Sequence, residues 1–365
     1  MNMKKYLLAA VLCLTALAVP GQTPGIVYRD ASAFPLYGKC IENTSARYER
    51  LPASYEQMSR KPVWGLGRNS AGLFIRFRSN SPGIYARWES LNAVRMNHMP
   101  ATGIRGVDLY ALHDGQWRYA GTGRPDMNLK LTEAPLVRNM DGQMREYMLY
   151  LSLYDGITKL EIGVQEGSML EVPALDYPRT DGKIVMYGTS ILQGGCVSRP
   201  GMAFTALIGR RTGREVINLG FSGNALLDLE IAELMAQVER PGVFVLDEVP
   251  NASADHIRER GERFFRILRD AHPDVPVIFV EEPDFPHGVF DQGSRETVAK
   301  KNQAQHELFL KLKKAGEKRI YYLPCDHLIG KDGEATVDGV HFTDLGAMRY
   351  TDAILPLIRK ALRSR

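Results

Sequence analysis

From about Gly25 to Pro178, apolar and polar positions alternate with a period of two. "GLFIRFRS" sets Leu73, Ile75 and Phe77 against Arg76 and Arg78. "GIYARWE" sets Ile84, Ala86 and Trp88 against Tyr85, Arg87 and Glu89, and "EYMLYLSLY" places Leu149, Leu151 and Leu153 on one face. "KLEIGV" adds Leu160, Ile162 and Val164. Alternation of this kind predicts antiparallel strands with one buried face, and several short strands with Gly, Pro, Asn and Asp between them predict a sandwich. After "YPRTDGK" the pattern changes. Short apolar strands at Lys183–Tyr187, Glu215–Leu219, Val243–Leu246, Val277–Val280 and Arg319–Leu323 alternate with helical stretches near Met202–Thr212, Ala225–Glu239, Ala254–Ala271 and Arg295–Ala315. A last helix begins near Thr343. Strand–helix alternation with apolar strands predicts a parallel sheet covered on both faces.

The chain's 365 residues suit two domains better than one. The first residues carry Lys4 and Lys5, an apolar run from Tyr6 to Leu17 too short to span a bilayer, and a small-x-small site at Ala16–Ala18. This predicts a secretory signal peptide over residues 1–18, hence a secreted or periplasmic protein. A β-sandwich domain is expected over 25–178 and a parallel α/β domain over 179–365. The net charge is +4 and the basic residues are scattered, so no nucleic-acid-binding stripe is predicted. No later segment is long and apolar enough to span a membrane. Cys40, Cys196 and Cys325 remain beyond the leader, with neither a disulfide framework nor metal-ligand spacing.

Ligands of open parallel sheets bind beyond the carboxyl ends of the strands. Those ends carry Gly188-Thr189-Ser190, then "NLGFSGNA" from Asn218, then "DEVPNAS" from Asp247. "VDGVHFTDLG" brings Asp338 and His341 just before the last helix. Each supplies a group that ester hydrolysis needs. A serine hydroxyl requires a base to take its proton, and imidazole as a side-chain type titrates near working pH. A carboxylate three residues from the histidine can hold its tautomer and stabilise the imidazolium. The Ser190 N–H, a glycine N–H in the second loop and the Asn251 amide are candidate donors to an oxyanion.

This order of blocks resembles the SGNH (GDSL-like) hydrolase family, over Lys183 to about Arg359. Ser190 matches the serine block, Asn251 the asparagine block, and Asp338 with His341 the final D-x-x-H. Spacing from Asn218 puts the glycine block at Gly223 rather than Gly220. "GIRGVDLYAL", Gly103 to Leu112, is similar to the G-x-D-L-Y segment of a β-rich domain that precedes one subgroup of these hydrolases. Thr189 stands where the family usually has Asp, and Val249-Pro250-Asn251-Ala252 replaces the usual Gly-x-Asn-Asp. The resemblance implies a flavodoxin-like three-layer α/β/α hydrolase domain, with Ser190, Asp338 and His341 as catalytic residues. It implies an oxyanion hole of Ser190, Gly223 and Asn251, and neither metal nor organic cofactor. The expected substrate is a small-molecule or glycan ester, most simply an acetyl group on carbohydrate. Two alternatives stand beside it: a lipase or thioesterase for longer acyl chains, and a catalytically silent glycan-binding protein.

Simpler roles compete at each position. Ser190 suits a helix N-cap, and Asp338-Gly339 an ordinary turn. Arg199 and Gln193 are candidate substrate contacts, whereas Asp247 and Glu248 suit capping or pocket-shaping roles. Cys196 is expected to be a packing residue, and Trp64, Trp88 and Trp117 to belong to the core or an interface.

Overall fold

The computed structural model describes residues 25–364, and the expected signal peptide lies outside them. Two antiparallel sheets occupy the first half. One has the order β1 (Ile26–Asp30), β9 (Ile157–Gln165), β4 (Ile84–Ser90), β7 (Leu131–Val137). The other runs β10 (Leu170–Glu171), β3 (Phe74–Ser79), β8 (Arg145–Tyr150), β5 (Val107–His113), β6 (Gln116–Gly123), with β2 (Leu36–Tyr37) also paired to β3. Short helices α1 (Tyr55–Met58), α2 (Lys61–Gly67) and α3 (Ala101–Ile104) lie between strands.

The period-two residues meet as expected: Ile75, Phe77, Leu109 and Leu149 of one sheet share a core with Ile84, Trp88, Leu160 and Ile162 of the other. The expectation of a single buried face fails for the second sheet. Its other face, with Phe74, Tyr110, Met148 and Tyr150, packs into the hydrophobic core of the C-terminal half. Arg76, read as a solvated position, is therefore fully buried. Its Nε donates to the Tyr147 carbonyl at 3.1 Å, it pairs with Glu146 at 2.7 Å, and it stacks over Trp117 at 4.7 Å. A guanidinium has enough donors and a flat enough face to be buried when each is matched.

The second half is a mixed α/β unit around a parallel sheet. Its strands are β11 (Arg179–Gly188), β12 (Arg214–Gly220), β13 (Pro241–Asp247), β14 (Val277–Val280) and β15 (Ile320–Leu323), in the order β12-β11-β13-β14-β15. Central β11 pairs in parallel with β12 and β13. Successive side chains of a strand face opposite ways. Accordingly Ile184 and Met186 enter one core with Phe204 and Tyr350, while Val185 and Tyr187 enter another with Ile231 and Phe264. Helices α5 (Phe204–Thr212) and α9 (Asp344–Arg363) supply the first layer. Helices α6 (Leu229–Met235), α7 (Ala254–Ala271) and α8 (Gln292–Lys314) supply the second. One-turn α4 (Ser190–Gln193) follows β11.

Helix α6 is shorter than the predicted 225–239. Leu227 adopts φ 58°, which interrupts a helix, and its N–H donates to the Tyr187 hydroxyl oxygen at 2.9 Å. Arg60 of the first half binds Asn224 at 2.8 Å and Asp228 at 2.7 Å, fixing the segment as a loop. Among the described residues no helix is long and apolar enough to cross a membrane.

Candidate active site

The order of the parallel sheet reverses direction between β11 and β13, and the crevice beyond such a switch point is where open α/β sheets bind ligands. Ser190 sits there. Thr189, not Ser190, caps the short helix, its hydroxyl accepting from the Ile191 N–H at 3.2 Å. Ser190 is thus the first helical residue and its side chain is free of capping. Gly188 is required by close approach: a Cβ there would lie 2.6 Å from the Asp247 carbonyl oxygen.

Ser190 Oγ lies 2.8 Å from His341 Nε2, and His341 Nδ1 lies 2.7 Å from Asp338 Oδ2. Asp338 Oδ1 also accepts from the backbone N–H of His341 at 2.8 Å and of Val340 at 3.1 Å. Partial burial works against the charge on Asp338, but these N–H donors and the imidazole outweigh it and hold the carboxyl at about 2. An ionised Asp338 can only accept, so Nδ1 carries the ring proton and Nε2 is left to receive one from Ser190. The serine is nearly buried, with 5% exposure, while the histidine and aspartate side chains are 22% and 34% exposed.

Asn251 and Gly223 lie in the loops after β13 and β12. Asn251 Oδ1 accepts from the Ala225 N–H at 3.3 Å, which leaves the amide N–H groups as the outward-acting end. Gly220 is excluded as a donor because its N–H is spent on Asn218 Oδ1 at 2.9 Å. Gly223 has φ 67°, open space where a Cβ would be, and no partner for its N–H among the described residues. Cys196 is buried, and burial, then Asp338, pushes its thiol up to about 12, so it is a poor nucleophile. All three described cysteines are free.

Arg199 and Gln193, the candidate substrate contacts, are each held by protein partners. Arg199 pairs with Asp108 of the G-x-D-L-Y segment at 2.5 Å and with Tyr110 Oη at 2.7 Å. Gln193 is fully buried, donating to the Leu153 carbonyl at 3.0 Å and accepting from Ser222 N–H at 3.0 Å. Glu248 is buried against Gln305 at 3.1 Å. Trp88 is core, and Trp117 packs on Tyr177 with ring centres 5.1 Å apart.

Sequence reasoning missed the residues that hold the site from outside. Tyr154 donates its hydroxyl to the Ser190 carbonyl at 3.1 Å. Arg50, fully buried, donates to the carbonyls of Asn218 at 3.1 Å and Gly220 at 2.9 Å. His287 lies 3.1 Å from the Gly339 carbonyl, beside Asp338. Two of these three come from the first half, far away in the chain, so no local spacing announces them.

The profile of the GDSL-like lipase/acylhydrolase family matches residues 181–359, and that of the N-terminus of SGNH-hydrolase-type esterase matches residues 26–170. A crystal structure from Bacteroides ovatus, described as a GDSL-like lipase, is 38% identical over 93% of this chain and 98% of its own, with a TM-score of 0.88. A salicylyl-acyltransferase from a tetracycline biosynthetic pathway shares the fold at 18% identity, covering 91% of this chain and 96% of its own, TM-score 0.72. So does a family two carbohydrate esterase from Cellvibrio japonicus at 12% identity, covering 93% and 98%, TM-score 0.57. No curated protein sequence matches. The chain belongs to the GDSL-like lipase/acylhydrolase family and is a carboxylic ester hydrolase of the SGNH type.

Proposed function

We propose that this hydrolase is a serine esterase that removes O-acyl groups, most simply acetyl, from carbohydrate through an acyl-enzyme. The observation that carries the reading is the continuous chain from Ser190 Oγ to His341 to Asp338, with contacts of 2.8 and 2.7 Å. His341 takes the Ser190 proton as Oγ attacks the ester carbonyl. The Ser190 N–H, Gly223 N–H and Asn251 amide hold the oxyanion, and each such donor typically lowers the barrier by about 3–4 kcal/mol. Collapse expels the alcohol, protonated by His341. Water, deprotonated by the same imidazole, then attacks the acyl-serine and releases the acid. Asp338 stays ionised throughout, which fixes the imidazole and stabilises its charged form.

Carbohydrate as the alcohol is supported by the esterase from Cellvibrio japonicus, named a family two carbohydrate esterase, and by an acetyl xylan esterase of the same fold from Butyrivibrio proteoclasticus. We further propose that residues 25–178 form a β-sandwich domain, that residues 179–365 are the catalytic domain, and that the 1–18 leader sends the enzyme across the cytoplasmic membrane. The test is acyl release from acetylated oligosaccharides beside 4-nitrophenyl acetate and octanoate. Release of acetate from glycan, with acetate preferred to octanoate, supports the reading. Preference for octanoate with no glycan turnover would favour a lipase.

A further inference from the structure

His98 lies outside the proposed chemistry yet reaches it from the first half. Buried Asp155 accepts from the Asn92 and Val94 N–H groups, each at 2.9 Å, and anchors the chain a few residues before the exposed His98. The His98 and His341 rings have centres 5.6 Å apart. One ligand atom each of His98, Cys196, Asp338 and His341 falls within 4.8 Å of all the others. Cys196 is held in the left-handed region, φ 67°, a conformation that few β-substituted residues adopt. Two imidazoles, a thiol and a carboxylate make a four-ligand set suited to tetrahedral zinc, and the sulfur disfavours magnesium and calcium.

We propose that His98, Cys196, Asp338 and His341 form a reversible site for a divalent cation of the zinc type, and that its occupation switches the esterase off. On binding, the thiol loses its proton to solvent and its sulfur bonds the metal. No redox step is involved. The ion claims a ring nitrogen of His341 and an oxygen of Asp338, so the imidazole can no longer relay a proton for Ser190. The inhibition rests on the role given to His341 above, whereas the binding does not.

The experiment titrates the enzyme with zinc chloride in a metal-free, non-chelating buffer, following 4-nitrophenyl acetate hydrolysis. Cobalt chloride serves as an absorbing probe. Expected are inhibition by zinc, recovery with EDTA, no effect of magnesium, and a near-ultraviolet thiolate-to-cobalt absorption. The same absorption is expected in Ser190→Ala, so the site is tested even where hydrolysis is absent. His98→Ala, on an exposed residue, and Cys196→Ser should each raise the half-inhibiting zinc concentration at least about tenfold, the smaller of the losses seen even for partners one layer outside a metal. Cys196→Ser should also abolish the cobalt band. Equal zinc sensitivity in wild type and both variants, or no cobalt–thiolate band in wild type, would overturn the proposal.

Discussion

At the residue scale, the site separates groups that react from groups that aim. Asn251 offers only its amide N–H end, since Oδ1 is occupied by Ala225 N–H. Asn251→Ala is therefore expected to lower kcat by about 10²- to 10³-fold with little change in KM, because the lost donor acts on charge that exists only in the transition state. Steady-state kinetics on 4-nitrophenyl acetate check this. Glu248 gives a different signature. Burial pushes it from its ordinary 4.5 to about 7, and its Oε2 has no partner among the described residues. Between these values the folded chain keeps a proton that the unfolded chain has lost. The stability contributed by Glu248 is thus full below about 4.5 and falls as pH rises through about 7. Glu248→Gln should flatten this part of the profile, with a wild-type-minus-variant change of up to roughly 3 kcal/mol across the window, read by denaturant unfolding at several pH values.

At the element scale, the strand-end loops hold the chemistry and the first half holds the loops. Tyr154, on the chain just beyond β8, donates to the Ser190 carbonyl on the first turn of α4. Tyr154→Phe leaves a buried carbonyl without this donor. It should cost about 1 kcal/mol of stability and lower kcat while KM stays near its original value, since the change acts on nucleophile placement. Thermal unfolding beside kinetics separates the two effects. The parallel strands were legible because each is apolar on both faces: β14 runs from Val277 to Val280 as the pattern predicts. Helix α7 likewise matches its predicted span, bounded by the Ser253 capping box. The start of α6 was not legible, because Arg60, more than 160 residues away, decides it. Arg76 misled for a related reason. A charged residue in an alternating strand reads as solvated, and only a third layer packed behind the sheet buries it. Ser190, Asn251, Asp338 and His341 were legible because each sits at a strand end or helix start in a fixed order, whereas Tyr154 and Arg50 enter from another part of the chain.

At the scale of the whole molecule, the two halves share two of the three cores among the described residues: in one, Leu51, Tyr55 and Val63 pack with Tyr187, Ile231 and Phe264. In the other, Phe74, Tyr110, Met148 and Tyr150 pack with Ile184, Phe204 and Tyr350. Asp108 is fully buried and accepts from Arg199, Thr122 and the Gly201 N–H, at 2.5, 2.7 and 2.9 Å. Asp108→Ala strands these donors, and is expected to destabilise the chain by about 3–5 kcal/mol in denaturant unfolding. A chain of residues 179–365 alone exposes the shared cores and loses Arg50, Tyr154 and Asp108. It is expected to be insoluble or inactive on 4-nitrophenyl acetate, and the full chain to unfold in one cooperative transition. A soluble, fully active 179–365 chain would show that the halves are energetically independent. The most direct single measurement compares wild type with Ser190→Ala on 4-nitrophenyl acetate, with intact-mass detection of a fluorophosphonate adduct. Wild type should hydrolyse the ester and gain one adduct, mapped to Ser190. The variant should be folded, unlabelled and slower by about 10⁴- to 10⁶-fold. A folded variant that keeps wild-type turnover, or an adduct on another residue, would contradict Ser190 as the nucleophile.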